Sequence, residues 1–306
     1  MEQSRTREEG SARRIGPYRL VTRLDPPGPF GPAVPCRRFV ARTRDGGRTV
    51  LLNAPLPGAD PARFAVEADA ARRLLGGWVA PVTDLAPPGE TPWYVTPYVP
   101  ALPLPVALAV HGGPLPEATV RAVGTALAEA LAGAHAQGLT HAGVSPAAVL
   151  LTADGPRLSC FGAVRAAGAD GEARTGLPGL EPGALAPEQT SGGRPRPPGD
   201  VYALGAVLAY AATGHTVPER DELPGALRPL VSSCLARDPA DRPTAADLVA
   251  ALAPPTPHRT VLNSAGSLLT PGWLPGRVVA ALARQSSELL AAELPADTAP
   301  DTPPRT

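Results

Sequence analysis

The sequence predicts an α+β fold in which a small antiparallel sheet precedes a larger, mostly helical part. The first hundred residues contain short apolar runs separated by turns rich in glycine and proline, a pattern typical of strands with tight connections. From residue 116 onwards, apolar side chains recur at helical spacing instead. With 306 residues, the chain is long enough for one two-lobed domain or two small ones.

The amino-acid composition argues against several classes of partner and location. All 28 basic residues are arginine, and 28 acidic residues balance them, so the formal net charge is zero. We therefore expect neither nucleic acid nor an anionic membrane surface as a partner. No apolar run approaches the roughly 20 residues of a membrane span, and the polar N-terminus lacks the apolar core of a signal peptide. Three scattered cysteines, Cys36, Cys160 and Cys234, favour a reducing cytoplasm over a metal site.

The first part of the chain carries the predicted sheet and one helix. Residues 1–14 are expected to form a disordered arm. A helix is predicted at residues 61–75, with Phe64, Ala68, Ala71 and Leu75 on its apolar face. Strands are predicted at residues 15–21, 39–41, 49–52, 79–82 and 93–96.

The second part is predicted to be helical. A helix at residues 116–137 places Val120, Val123, Leu127 and Leu131 on one face. A proline-rich linker is expected at residues 253–274, an amphipathic helix at 275–294 and a disordered tail at 295–306. Val278, Leu282, Leu289 and Leu290 form the apolar side of that last helix. It is expected to pack on the preceding domain through Trp273, and binding to a partner is the alternative.

One stretch in the middle of the chain gives the strongest signal of function. Residues 141–151 read His-Ala-Gly-Val-Ser-Pro-Ala-Ala-Val-Leu-Leu, and this cadence resembles the catalytic loop H-R-D-L-K-P-x-N-V-L-L of bacterial Ser/Thr protein kinases. Other segments follow in the family's order. They are F-G at residues 161–162, A-P-E at 186–188, D-V-Y-A-L-G at 200–205 and D-P-x-x-R-P at 238–243.

The resemblance covers residues 15–252 and implies a two-lobed protein-kinase-like fold of α+β class. The N-lobe, residues 15–96, would hold the small antiparallel sheet and one main helix. Residues 97–100 would form the hinge, and residues 101–252 the larger, mostly α-helical C-lobe. Only residues 214–224 separate two of the C-lobe helices, so a helix that the family usually has there is expected to be reduced or missing.

The resemblance places uncharged residues where the family has its charged chemistry. Gly143 stands for the catalytic Asp, Ser145 for the Lys beside it and Asn53 for the strand Lys that pairs with nucleotide phosphates. The two metal-binding positions hold Ala148 and Cys160, and a neutral thiol is a poor ligand for Mg²⁺. We therefore expect no ATP or Mg²⁺ binding. Cys160 is expected to be a small buried residue, with a redox or ligand-binding role as the alternative.

The nucleotide-binding elements are also altered. Gly28 and Gly31 match two glycines of the family's phosphate-covering loop, but four prolines among residues 26–32 remove backbone N–H donors. We expect a stiff turn here. Tyr98 and Val99 match the hinge, whose contacts are made by backbone, so an adenine-shaped slot could survive.

Residues that support the family's fold are retained. The resemblance implies that Asp200 holds the backbone of the catalytic loop, that Phe161 packs beside a buried His141, and that Glu188 forms an ion pair with Arg242. Glu67 matches the helix Glu whose partner Lys is absent. Its side chain is expected either to be solvated or to pair with an arginine.

These residues favour a pseudokinase, a non-catalytic regulatory or scaffold protein in the cytoplasm. It would act through a protein partner, such as an active kinase or a phosphopeptide-reading protein. One alternative is a kinase homologue with weak residual ATP-dependent transfer. Another is a nucleotide or ligand sensor that needs no metal.

Overall fold

The computed structural model describes residues 14–25, 33–219, 221–253, 269 and 272–291. These residues form two lobes, an antiparallel sheet with one main helix and a larger helical part, so the predicted two-lobed α+β architecture is confirmed. The predicted disordered segments lie outside the described residues, apart from Arg14, which belongs to the first strand. The loop containing Gly28 and Gly31 also lies outside them, as does most of the predicted linker.

The sheet of the N-lobe has six strands. They are β1 (Arg14–Ile15), β2 (Tyr18–Arg23), β3 (Arg37–Arg42), β4 (Thr49–Ala54), β5 (Asp84–Leu85) and β6 (Tyr94–Pro97). Their order is β1-β2-β3-β4-β6-β5, and each neighbouring pair is antiparallel. Tyr18, Phe39 and Trp93 help to form a separate apolar cluster on this sheet. The strand predicted at residues 79–82 is wrong, because only Val79 makes a bridge, to Leu158 of the other lobe.

Helix α1 (Pro61–Ala71) is the main helix of the N-lobe. The carboxylate of Asp60 accepts hydrogen bonds from the backbone N–H groups of Ala62 and Arg63, and Pro61 occupies the first turn. The helix ends before the predicted residue 75. Leu75 is therefore exposed, and Leu74 is buried in its place.

The C-lobe combines seven described helices with a small sheet. The helices are α2 (Leu104–His111), α3 (Glu117–Ala136), α4 (Ala163–Ala167), α5 (Pro187–Thr190), α6 (Pro197–Thr213), α7 (Arg228–Cys234) and α8 (Ala245–Leu252). The antiparallel strands β7 (Ala101–Pro103), β8 (Val149–Thr152) and β9 (Gly155–Leu158) face the N-lobe. Most side chains of α6 are buried, because α3 and α7 pack against it, while α8 packs on α3. Among the described residues from 214 to 224 there is no helix, as predicted.

Helix α9 (Gly276–Ala291) packs back on the C-lobe, as predicted from its amphipathic pattern. Val278 and Leu282 are buried, and Trp273 and Leu274 join the same core. The side chain of Gln285 donates to the carbonyl of Ala101 and accepts from its N–H, so the helix also fixes the start of β7. Leu290 was predicted on the apolar side, but it is 61% exposed.

Candidate functional site

The loop at residues 141–151 lies between the lobes, and helix α6 holds its backbone. The carboxylate of Asp200 accepts hydrogen bonds from the backbone N–H groups of His141 and Ala142, each at 2.7 Å. The Ser145 hydroxyl accepts from the N–H of Ala148 at 3.3 Å and so caps the single helical turn Pro146–Ala148. The contacts of Asp200 with the loop are those that the motif predicted. Ser145, which stands where the family has a lysine, carries no charge and instead stabilises the backbone of the loop.

Gly143 has no room for a side chain. A Cβ atom at this position would lie 1.9 Å from the carbonyl oxygen of Cys160, a backbone atom that cannot rotate away. The small cavity beside Gly143 measures about 20 Å³ and is bordered by Pro35, Val164 and Glu181. A carboxylate at position 143 would therefore require the backbone to move.

The positions expected to handle phosphate and metal are filled by buried side chains that carry neither a carboxylate nor an ammonium group. The Asn53 amide donates to the carbonyl of Leu51 at 3.3 Å, and its oxygen is 3.6 Å from the Sγ of Cys36. The side chain of Ala148 is completely buried, and Cys160 Sγ lies 3.5 Å from the hydroxyl of the preceding serine. No cluster of three or more His, Cys, Asp or Glu side chains suited to a metal occurs within the described ranges. This donor set does not fit Mg²⁺, which prefers several hard oxygen ligands.

A buried arginine connects the two lobes across the cleft. Arg38 of β3 is 1% exposed, and its guanidinium donates through Nε to Asp25 at 2.8 Å, with a second contact from Nη2 to the same carboxylate. Its third nitrogen, Nη1, donates to the carbonyl of Ala147 in the loop at 2.8 Å. The Arg38–Asp25 pair thus connects the N-lobe sheet to the backbone of the loop. We refer to it as the Arg38 bridge.

The motifs did not identify the Arg38 bridge, although the strand pattern carried a signal. Side chains two apart on a strand point to the same face. Arg38 therefore points to the same face as the buried Val40, which is an unusual position for an arginine unless it has a partner.

The hinge residues Tyr98 and Val99 border a narrow cavity of about 170 Å³. Leu24, Leu51 and Leu150 contribute an apolar lining, and the buried side chain at position 96, a threonine, lies at its back. Pockets for small-molecule ligands usually measure about 300–1,000 Å³. The adenine-shaped slot considered from the sequence is therefore present only as a small apolar cavity.

Glu67 of α1 pairs with an arginine, one of the two alternatives that the sequence left open. Its carboxylate accepts from Nε and Nη2 of Arg165 at 2.7–2.9 Å. Arg165 lies on the short helix α4, which begins directly after Gly162, and its guanidinium stacks over the Phe161 ring with a 5.0 Å separation. Helix α1 is thus tied to the segment after residue 162.

That segment is itself fixed against both lobes. Arg174 is buried and donates to the carbonyl oxygens of Gly168, Ala169, Gln189 and Gly193. Further along, Gly179 fits against the backbone of residues 34 and 35, where a Cβ would meet the Cα of the proline at position 35 at 2.9 Å. The segment therefore covers the entrance to the cleft beside the catalytic-loop position 143.

Two further predicted contacts are present. The Glu188 carboxylate accepts from both terminal nitrogens of Arg242 at 2.7 and 2.8 Å, and Arg242 also binds three backbone carbonyls. His141 is buried and packs edge-on against Phe161 with ring centroids 5.5 Å apart. Burial lowers the pKa of His141 to about 4, so this side chain is neutral at physiological pH.

Taken together, the six-stranded N-lobe, the hinge, the Asp200-supported loop and the Glu188–Arg242 pair define a protein-kinase fold. No protein-family model matches the chain. Among solved structures, it is similar to the kinase domain of PknI from Mycobacterium tuberculosis, crystallised as a cysteine-to-alanine mutant, with a TM-score of 0.62 and 25% identity. That alignment covers 79% of this chain and 97% of the PknI chain.

Curated relatives place the chain more narrowly. It is 37% identical over 294 residues to the "Probable serine/threonine-protein kinase PkwA" of Thermomonospora curvata, covering 87% of this chain and 38% of that protein. It is 34% identical over 289 residues to serine/threonine-protein kinase AfsK of Streptomyces coelicolor, covering 87% of this chain and 35% of that protein. Over its kinase-like domain, the chain is homologous to Ser/Thr protein kinases of actinobacteria.

The chain spans little more than a third of the length of these two relatives. Within the described parts of the chain, no helix is both long and apolar enough to cross a membrane.

Proposed function

We propose that this chain is a catalytically inactive member of the family, a pseudokinase that acts by binding protein partners. The observation that carries the proposal is the Arg38 bridge. A kinase cleft has to admit a nucleotide and its metal, whereas here the buried guanidinium of Arg38 links the N-lobe to the Ala147 carbonyl across that cleft.

The chemistry of the site supports the same conclusion. Phosphoryl transfer relies on positioned charges that neutralise the phosphates and orient the nucleophile. The five positions where the family places those groups hold Asn53, Gly143, Ser145, Ala148 and Cys160. Removing one electrostatic group typically costs roughly 10²–10³ in rate, so the loss of all five leaves no recognisable catalyst.

The retained features favour a role as a binding module. Asp200, Arg242 and Arg174 hold the loop and the following segment in a fixed arrangement through contacts within the chain. A preorganised surface of this kind suits recognition, because less conformational entropy is lost on binding. We infer a protein partner in the cytoplasm, such as an active kinase or a phosphopeptide-reading protein, and neither nucleic acid nor a nucleotide cofactor.

Transfer of radiolabelled phosphate tests this proposal. The purified chain is incubated with labelled ATP and either Mg²⁺ or Mn²⁺, with and without a generic protein substrate. A catalytically competent Ser/Thr kinase domain prepared in the same way is the positive control. We expect no incorporation above a mock purification. Incorporation that co-elutes with the folded chain and is blocked by an adenine-mimicking inhibitor would contradict the proposal.

Ligand sensing without metal is a second candidate, favoured by the apolar cavity at the hinge. The cavity lies beside the exposed Val99 and is bordered by Tyr98 and Leu150. A small planar ligand would bind there equally well with and without Mg²⁺. Isothermal titration with adenine in the presence of a chelator tests this, and the absence of heat would exclude it for this ligand.

A further inference from the structure

Two of the three cysteines come together around Asn53 in the cleft, although they are 124 positions apart in the sequence. Cys36 precedes β3 in the N-lobe, and Cys160 follows β9 in the C-lobe. Both are 3% exposed and belong to the same buried cluster. They share Asn53 as a neighbour, because Cys36 contacts its amide oxygen and Cys160 lines the same small cavity.

The surroundings of Cys160 favour its thiolate. The side-chain interaction with Cys36 is the largest effect that lowers the pKa of Cys160, and the nearby Arg38 guanidinium and the Ser159 hydroxyl lower it further. The pKa of Cys36 is raised, first by that same interaction with Cys160 and then by burial. Cys160 is therefore the more nucleophilic thiol of the pair.

We propose that Cys36 and Cys160 form a disulfide that links the two lobes when the chain meets hydrogen peroxide. The Cys160 thiolate attacks one peroxide oxygen, the O–O bond breaks, and the released hydroxide takes up a proton to become water. The sulfur of Cys36 then attacks the resulting sulfenic acid, the S–O bond breaks, and the departing hydroxide takes the Cys36 proton. Two thiols are oxidised and one peroxide is reduced to two waters.

The cavity beside Cys160 is large enough for hydrogen peroxide but not for larger oxidants. The cavity beside Cys160 measures about 20 Å³, which is space for roughly one water-sized molecule. Hydrogen peroxide is close to that size, whereas larger disulfide reagents would need the lobes to open. The inference does not depend on the proposed function, since the thiols would pair whether or not the chain transfers phosphate.

The third cysteine provides an internal control. Cys234 ends helix α7, is completely buried, and packs against Gly205 of α6. Burial raises its pKa to about 12, so it resists oxidation.

Peptide mapping after mild oxidation tests the proposal on the wild-type chain. The folded protein is treated with hydrogen peroxide, the remaining thiols are blocked, and the chain is cut with trypsin. The relevant peptides are residues 24–37, 158–165 and 221–237, each containing one cysteine. We expect the first two to be joined by a bond that reductant cleaves, while Cys234 is recovered as a blocked thiol.

Variants sharpen the test. Cys234→Ser should keep the crosslink, and Cys36→Ser should lose it and accumulate sulfenic or sulfinic acid at Cys160. The crosslink should also raise Tm by roughly 5–15 °C, because it closes a loop of more than about 100 residues. Oxidation of Cys160 without a crosslink in the wild-type chain would overturn the proposal. Crosslinks that appear only in denaturant, or that involve Cys234 equally, would overturn it too.

Discussion

At the scale of single residues, this domain uses arginine for its buried positive charges. Arg38, Arg174 and Arg242 are buried, and each guanidinium binds a carboxylate and at least one backbone carbonyl. The planar guanidinium holds five donors in a fixed fork that can bind a carboxylate and backbone carbonyls at once, whereas a lysine ammonium has only three donors and no fixed plane. Removing one partner of such a pair leaves an uncompensated charge, at a typical cost of about 3–5 kcal/mol. These residues therefore fix the arrangement of the loops around the cleft.

Gly143 offers a direct test of the close contact in the loop. Gly143→Ala should destabilise the chain by about 2 kcal/mol or more, because its Cβ would overlap the Cys160 carbonyl oxygen. Gly133→Ala is the matched control. Gly133 lies on the exposed side of α3 with open space around it, and alanine there should stabilise by about 0.5–1 kcal/mol. Urea unfolding measures both, and equal effects of the two substitutions would contradict the geometry.

The buried His141 should make the free energy of unfolding fall as the pH is lowered. Its pKa is about 4 in the folded chain and about 6.5 when unfolded, so between these values only the unfolded state takes up the proton. Stability from this residue is complete above pH 6.5 and is lost as the pH falls towards 4, by roughly 3 kcal/mol at most. In urea unfolding, His141→Leu should reduce the fall in unfolding free energy between pH 6.5 and 4. The substitution His215→Gln, at an exposed histidine, should leave that fall unchanged. An unchanged slope in His141→Leu would show that other groups cause it.

At the scale of elements, the segments around the cleft are fastened to one another by contacts within the chain. Helix α1 is tied to α4 through Glu67 and Arg165, and Arg174 holds the next part of the segment to the backbone near α5. Helix α9 packs on α2, and the side chain of its Gln285 hydrogen-bonds to the backbone of Ala101. Of these contacts, the Glu67–Arg165 pair joins the two lobes and so opposes opening of the cleft.

Helix α9 should therefore behave as part of the folded core. Leu282→Ala is expected to cost about 2–5 kcal/mol, since this side chain is 4% exposed in the C-lobe core. Leu290→Ala on the same helix should change stability by less than about 0.5 kcal/mol, because Leu290 is 61% exposed. Chemical denaturation of the two variants measures the change in unfolding free energy that each substitution causes. Equal small effects would mean that α9 does not contribute to the stability of the domain.

Sequence motifs anticipated the elements better than the contacts between them. The order of F-G, A-P-E, D-V-Y-A-L-G and D-P-x-x-R-P predicted the C-lobe and the contacts of Asp200, Phe161 and Arg242, because those residues support the backbone locally. The prediction of a strand at residues 79–82 was wrong, since an apolar run alone does not determine whether a segment pairs with a neighbouring strand. The Arg38 bridge and the Cys36–Cys160 neighbourhood depend on how the lobes meet, which a periodic pattern does not encode.

At the scale of the whole molecule, the two lobes are joined across a cleft that its own side chains fill. Arg38 bonds to the loop, Cys36 lies beside Cys160, and Pro35 meets Gly179 of the covering segment. The loop and Cys160 stand at positions that the resemblance assigns to the catalytic groups and the metal. This arrangement supports the proposal that the chain binds no ATP and acts through its surface.

Thermal unfolding with and without ATP, each with and without Mg²⁺, tests this inference most directly. A ligand at about 100 times its Kd stabilises a protein by about 2.7 kcal/mol, which raises Tm by roughly 5–10 °C for a domain of this size. We predict that ATP leaves Tm unchanged, both with and without Mg²⁺. A rise without Mg²⁺ would show that the cleft still admits nucleotide, and a rise that requires Mg²⁺ would reveal a metal site and contradict the assignment as a pseudokinase.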